Sequence, residues 1–89
     1  MIEISFSTSF IRAYRKQIKS NPDIESIFDE KLKIFIENPF DARLKTHKLS
    51  GKLSEIYSFS INYYIRITFI FVDGNKVIFE NIGKHDYIY

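Results

Sequence analysis

From Ile65 onward the chain alternates strictly: Ile65, Ile67, Phe69 and Phe71 fall on one face, and Tyr64, Arg66, Thr68 and Ile70 on the other. A period of two with one apolar face predicts a strand whose sheet is covered on one side only. With the preceding SFSIN run, this stretch reads as two strands meeting near Asn62 and Tyr63. The predicted strands span roughly 55–61, 64–72 and 76–82, and Asp73-Gly74-Asn75 supplies a hairpin turn between the last two. At the N-terminus Ile2, Ile4 and Phe6 alternate with Glu3 and Ser5, predicting a short first strand.

Between these regions the period changes from two to about 3.6. Ser7 or Thr8 can cap a helix whose apolar side carries Phe10, Ala13 or Tyr14, and Ile18, ending near Ser20. Asn21-Pro22 then predicts a second helix, with Asn as cap, Pro in the first turn, and Asp23 and Glu25 at the positive end of the dipole. Its stripe is Ile24, Ile27, Phe28, Leu32, Phe35 and Ile36, and Asn38-Pro39 stops it. The short link predicts an antiparallel helical hairpin, the lid that a one-sided sheet requires. A polar loop over 40–46 and a turn at Gly51 precede the later strands. The predicted fold is α+β, in the order β-α-α-β-β-β, with the helical hairpin on one face of a mainly antiparallel, about four-stranded sheet.

The composition narrows this picture. Eighty-nine residues suit one domain, spanning 1–89, with a modest core, and a 45% hydrophobic, 17% aromatic content excludes a disordered chain. No cysteine is present, which excludes disulfides and thiolate metal sites and fits a cytoplasmic protein. No apolar run approaches the ~20 residues of a membrane span. Nor does MIEISFSTSF contain the basic and apolar regions of a signal peptide. The net charge is only +2, but it is unevenly spread. Arg12, Arg15, Lys16 and Lys19 fall together, as do Arg43, Lys45, Lys48 and Lys52 around His47, with the acids Asp23, Glu25, Asp29, Glu30 and Glu37 in between. A basic run such as 43–52 can attract phosphate, although most such loops are simply solvated.

Chemistry is sparse. Only His47 and His85 have side chains that ordinarily titrate near neutral pH. Cleavage of RNA by its own 2′-hydroxyl needs a base, an acid and a cation for the pentavalent phosphorane. Two histidines with Arg66 can supply all three, and Tyr89 can stack or carry a proton. Against this, two histidines is a background number, and a mid-strand arginine is more often structural, here with Glu80 as an available partner. Tyr57, Tyr63, Tyr64, Tyr87 and Tyr89 can stack on bases, but strand aromatics usually serve the core. Two histidines without a clustered third ligand make a poor zinc set, so no metal or other cofactor is expected. The chain has no glycine-rich phosphate loop, nucleophile elbow or paired-carboxylate arrangement.

The run NPFDARLKTHKLSGKLSEIYSFSINYYIRITFIF, closed by NIGKHDYIY, resembles the RelE/ParE superfamily of bacterial type II toxins, and is most similar to its RelE/YafQ-like mRNA interferases. The likeness spans essentially the whole chain and rests on THKLSGKL, SFSINYYIRI and the terminal IGKHDYIY taken together. It implies a metal-independent endoribonuclease that cuts mRNA on the ribosome and is neutralised by a cognate antitoxin. By position it implies catalytic roles for His47, His85, Arg66 and Tyr89, with either histidine as base. Lys45, Lys48, Lys52, Lys84, Ser60 and Tyr64 would face the RNA. Ser60 stands where relatives often carry histidine or arginine, and Tyr64 where many carry aspartate; either change can weaken substrate grip. The alternatives are a ParE-like gyrase poison without RNase chemistry and a degenerate antitoxin-binding module. The histidine pair favours the nuclease.

Overall fold

The computed structural model describes residues 1–49 and 55–84. The elements are β1 (Glu3–Phe6), α1 (Thr8–Ser20), α2 (Ile24–Glu37), a 3-10 turn (Ala42–Leu44), β2 (His47–Lys48), β3 (Tyr57–Ser60), β4 (Ile65–Asp73) and β5 (Lys76–Lys84). They form an α+β fold with one five-stranded sheet in the order β1-β5-β4-β3-β2. The pairs β2–β3, β3–β4 and β4–β5 are antiparallel, whereas β1 lies parallel to β5. A parallel partner for β5 is the geometry that a helical crossover from β1 allows.

Local chemistry explains the boundaries. Ser7 caps α1: its Oγ accepts from the Phe10 amide at 2.9 Å and donates to the Glu80 carbonyl at 3.0 Å, tying the helix start to β5. The second helix begins two residues later than its sequence suggests. Asn21 Oδ1 accepts from the Asp23 amide, so Asn21-Pro22-Asp23 forms a turn, and α2 opens at Ile24 without a side-chain cap. Residues 61–64 make the bend between β3 and β4. The fifth strand is the other addition. Only two residues long and exposed, β2 has no periodicity of its own and exists through pairing with Ser58 and Tyr57.

Directly paired residues project from the same face of a sheet. On the helix side, Phe6, Phe79, Phe69, Tyr57 and Lys48 form one row across all five strands. Phe79 is the hub of the core. Its ring lies 5.2 to 6.4 Å from those of Phe6, Phe10, Phe28, Phe35, Phe59 and Phe69. Phe10 from α1 and Ile24, Phe28 and Phe35 from α2 are buried against this surface. The opposite face carries polar rows and positions the candidate site.

Candidate anion-binding site

Two rows define the polar face. His47, Ser58, Thr68 and Asn81 are in register across β2 to β5; Ser60, Arg66 and Gly83 form the next row towards the β3–β4 turn. Ser58, Ser60 and Thr68 are buried, and among the described residues no buried side-chain nitrogen or oxygen lacks a hydrogen-bond partner. Such satisfaction is what allows hydroxyls to sit beneath a working surface without a desolvation cost.

Arg66 is anchored locally. Its Nη1 donates to the carbonyls of Asn62 at 3.1 Å and Tyr63 at 3.2 Å, so the guanidinium leans along its own strand towards the turn. Glu80, the available partner on the structural reading of Arg66, is not used: the register sets Gly83 opposite Arg66, and a shift at Thr68/Phe69 leaves Glu80 outside the paired positions. Nε and Nη2 make no hydrogen bond to the described residues. Arg66 borders a surface pocket of about 340 Å³, lined also by Lys31, Arg43, Lys45, Ser60, Ile61, Asn62 and Tyr63. The lining holds four cations, of which Arg43 is ion-paired with Asp41, two hydroxyls and no carboxylate, a composition suited to an anion such as phosphate.

The loop before β2 holds two of those cations. Asp41 caps the 3-10 turn, accepting from the Arg43 amide, and it grips the Arg43 guanidinium with both oxygens at 2.9 and 3.0 Å. The Arg43 side-chain and backbone hydrogen bonds lower the Asp41 pKa to about 2. Lys45 closes the turn in the left-handed region, φ 54° and ψ 42°. A lysine there is strained, and such backbone is concentrated at functional sites. Its carbonyl lies 3.2 Å from His47 Nδ1, a contact that requires the ring proton on Nδ1.

The structure therefore sorts the residues singled out by sequence. Lys45, Ser60 and Arg66 line one pocket. His47 shares their sheet face one row away, its Cα about 12 Å from that of Arg66 by ~4.8 Å strand spacing and ~3.4 Å rise. Lys48 projects to the helix side, with Nζ 5.8 Å from the Tyr57 ring centre, and Lys84 pairs with buried Ile65 and lines a different pocket with Lys16. Tyr64 is exposed and outside the first pocket's lining, its ring centre 5.2 Å from that of Tyr63, which does line it. Lys52, His85 and Tyr89 lie outside the described residues. Missed by the sequence reading were Lys31, which reaches the pocket from α2, and Asn62; Arg43 and Tyr63 were named there only as part of a basic run and as a possible stacking ring. Arg43 carried a signal, as part of the same basic run as Lys45; Lys31 sits among acids and carried none.

No group of three or more histidine, aspartate or glutamate side chains among the described residues could hold a metal ion. Among the same residues, no helix is long and apolar enough to cross a membrane.

Comparison with solved structures settles the architecture. A copper-bound mutant toxin from Helicobacter pylori superposes over 100% of both chains with TM-score 0.83 at 20% identity. The chain has the RelE/YafQ-like toxin fold. The Escherichia coli DinJ-YafQ complex matches over 100% of this chain and 99% of that one, with TM-score 0.80 at 18% identity. The Staphylococcus aureus YoeB dimer matches over 94% and 97%, with TM-score 0.75 at 25% identity. No protein-family model matches the chain, and no curated protein matches it in sequence. On this RelE-like scaffold the Arg66 pocket occupies the end of the polar face, at the β3–β4 turn.

Proposed function

We propose that this chain is the toxin of a type II toxin–antitoxin system and acts as an endoribonuclease on ribosome-bound mRNA. The observation that carries the reading is the four-cation Arg66 pocket, on the same sheet face as His47, whose Nδ1 lies 3.2 Å from the Lys45 carbonyl. In the proposed reaction His47 Nε2 removes the 2′-hydroxyl proton and the oxygen attacks the adjacent phosphorus. Arg66 stabilises the phosphorane, and His85 protonates the departing 5′-oxygen. Atoms balance with no added reagent: the products are a 2′,3′-cyclic phosphate and a 5′-hydroxyl. The base and acid roles are interchangeable in principle. Lys45, Lys31 and Arg43 at the pocket would hold the RNA backbone, whereas Lys48 and Lys84 project from the other side of the sheet; Lys52 is proposed as a further phosphate contact and Tyr89 as the aromatic that completes the site. Alignment of the mRNA by the ribosome would supply the proximity that a shallow, open site lacks. The place of action implied is the cytoplasm.

An antitoxin partner is supported by the DinJ-YafQ likeness. Its docking surface on this chain is proposed as an apolar groove of about 280 Å³ lined by Phe6, Phe10, Ile11, Tyr14, Ile18 and Phe28. Arg15 also lines it, and helix α1 carries four basic and no acidic residues. The occupant we assign is therefore an acidic amphipathic segment of the antitoxin. Ile11→Glu is expected to abolish rescue of growth by the antitoxin while leaving toxicity intact. Continued rescue would remove the groove from the interface. The catalytic reading is tested by mRNA cleavage on programmed ribosomes, with His47→Ala as the control.

A further inference from the structure

The turn that Arg66 holds carries two aromatic rings that the reaction does not use. Tyr63, which lines the pocket of four cations, is 83% exposed, and its neighbour Tyr64 is 68% exposed. Their ring centres are 5.2 Å apart and their planes meet at 80°. The turn beneath them is fixed: Asn62 Oδ1 accepts from the amides of Tyr64 at 2.9 Å and Ile65 at 2.7 Å, and the Asn62 and Tyr63 carbonyls accept from Arg66 Nη1. Arg66 thus borders the pocket and supports the backbone of the rings.

Large exposed rings on a fixed turn leave apolar surface in water that the fold does not recover. Stacking on a base recovers it without sequence preference, because every base has a π-face. We propose that Tyr63 and Tyr64 form a stacking platform for a nucleobase of a single strand whose neighbouring phosphate sits in the Arg66 pocket. This rests on the nucleic-acid reading of the pocket and deepens it: the ligand is a single strand with an unstacked base, because rings at this rim have no route into a closed duplex. The cations beside the pair favour nucleic acid over an apolar protein surface.

The experiment measures binding of a 2′-O-methyl RNA hexamer, which cannot be cleaved by 2′-hydroxyl attack, and of an abasic hexamer with the same phosphates. Wild type, Tyr63→Ala/Tyr64→Ala, Tyr63→Phe/Tyr64→Phe and Arg66→Ala are compared, each shown to be folded by circular dichroism. The alanine pair is expected to weaken base-bearing binding on the order of 10-fold or more and leave abasic binding within ~2-fold. The phenylalanine pair should restore the difference, and Arg66→Ala should weaken both ligands. An equal loss on both hexamers, or no loss on either, overturns the platform. So does unchanged RNA binding with lost antitoxin binding, which would place the rings in a protein interface. Failure of wild type to bind either hexamer overturns the platform and the nucleic-acid reading together. Base-dependent binding by a protein that never cuts mRNA would retain the platform and remove only the nuclease.

Discussion

Arg66→Ala should separate a structural from a chemical role at one residue. The side chain ties Nη1 to two carbonyls of the β3–β4 turn. A hydrogen bond from a charged donor contributes about 1.5–3 kcal/mol, and the lower end applies to this partly exposed, shared nitrogen. At roughly 4–8 °C per kcal/mol for a domain of this size, the melting temperature should fall by about 6–12 °C. Cleavage should fall much further, about 10²–10³-fold, as for removal of a preorganised donor at a transition state. Arg66→Lys keeps the charge without the planar fork and should recover only part of either loss. The assay pairs thermal melts with single-turnover cleavage of programmed ribosomes below the melting range of the variant. A folded Arg66→Ala protein that cleaves within ~3-fold of wild type would refute the assigned role.

Three further outcomes follow from the packing and charge. Phe79→Ala removes the ring on which six others converge and should cost about 3–5 kcal/mol, much of the roughly 4–13 kcal/mol available to a chain of this length; chemical denaturation with the midpoint little changed would contradict the assigned hub. Ser7→Ala deletes both the α1 cap and the bond to the Glu80 carbonyl, and should cost about 1–2 kcal/mol, whereas Ser7→Thr should retain most of the stability in the same melt. The Asp41 carboxyl has a folded pKa of about 2, below its ordinary 3.8, so its contribution is complete above pH ~4 and is lost as pH falls towards 2. Carbonyl NMR titration should find that low midpoint and should return it to the ordinary range in Arg43→Ala.

The fold was legible because its two periods are clean. Alternation over 65–71 and the spacing of Ile24, Phe28 and Phe35 state which faces are buried, and the described core contains those residues. The short β2 was not legible, since two exposed residues carry no period and the strand is created by its neighbour. That pairing decides a functional point: His47 takes the polar face and Lys48 the helix side. Parity alone separates adjacent residues of a strand, so the signal was available once the strand was known. Lys31 was hidden for a different reason. Its helix is acidic overall, and only tertiary packing brings this one cation to the loop that carries Arg43 and Lys45.

The most direct test of the central claim is end analysis of an mRNA incubated on programmed ribosomes with wild-type protein and with His47→Ala. Cuts in the ribosome-bound codon are expected to leave 2′,3′-cyclic phosphate or 3′-phosphate and 5′-hydroxyl ends, and to be lost in the folded variant. A folded wild-type protein that arrests growth and leaves the mRNA intact would contradict the claim, and DNA gyrase would become the target to assay.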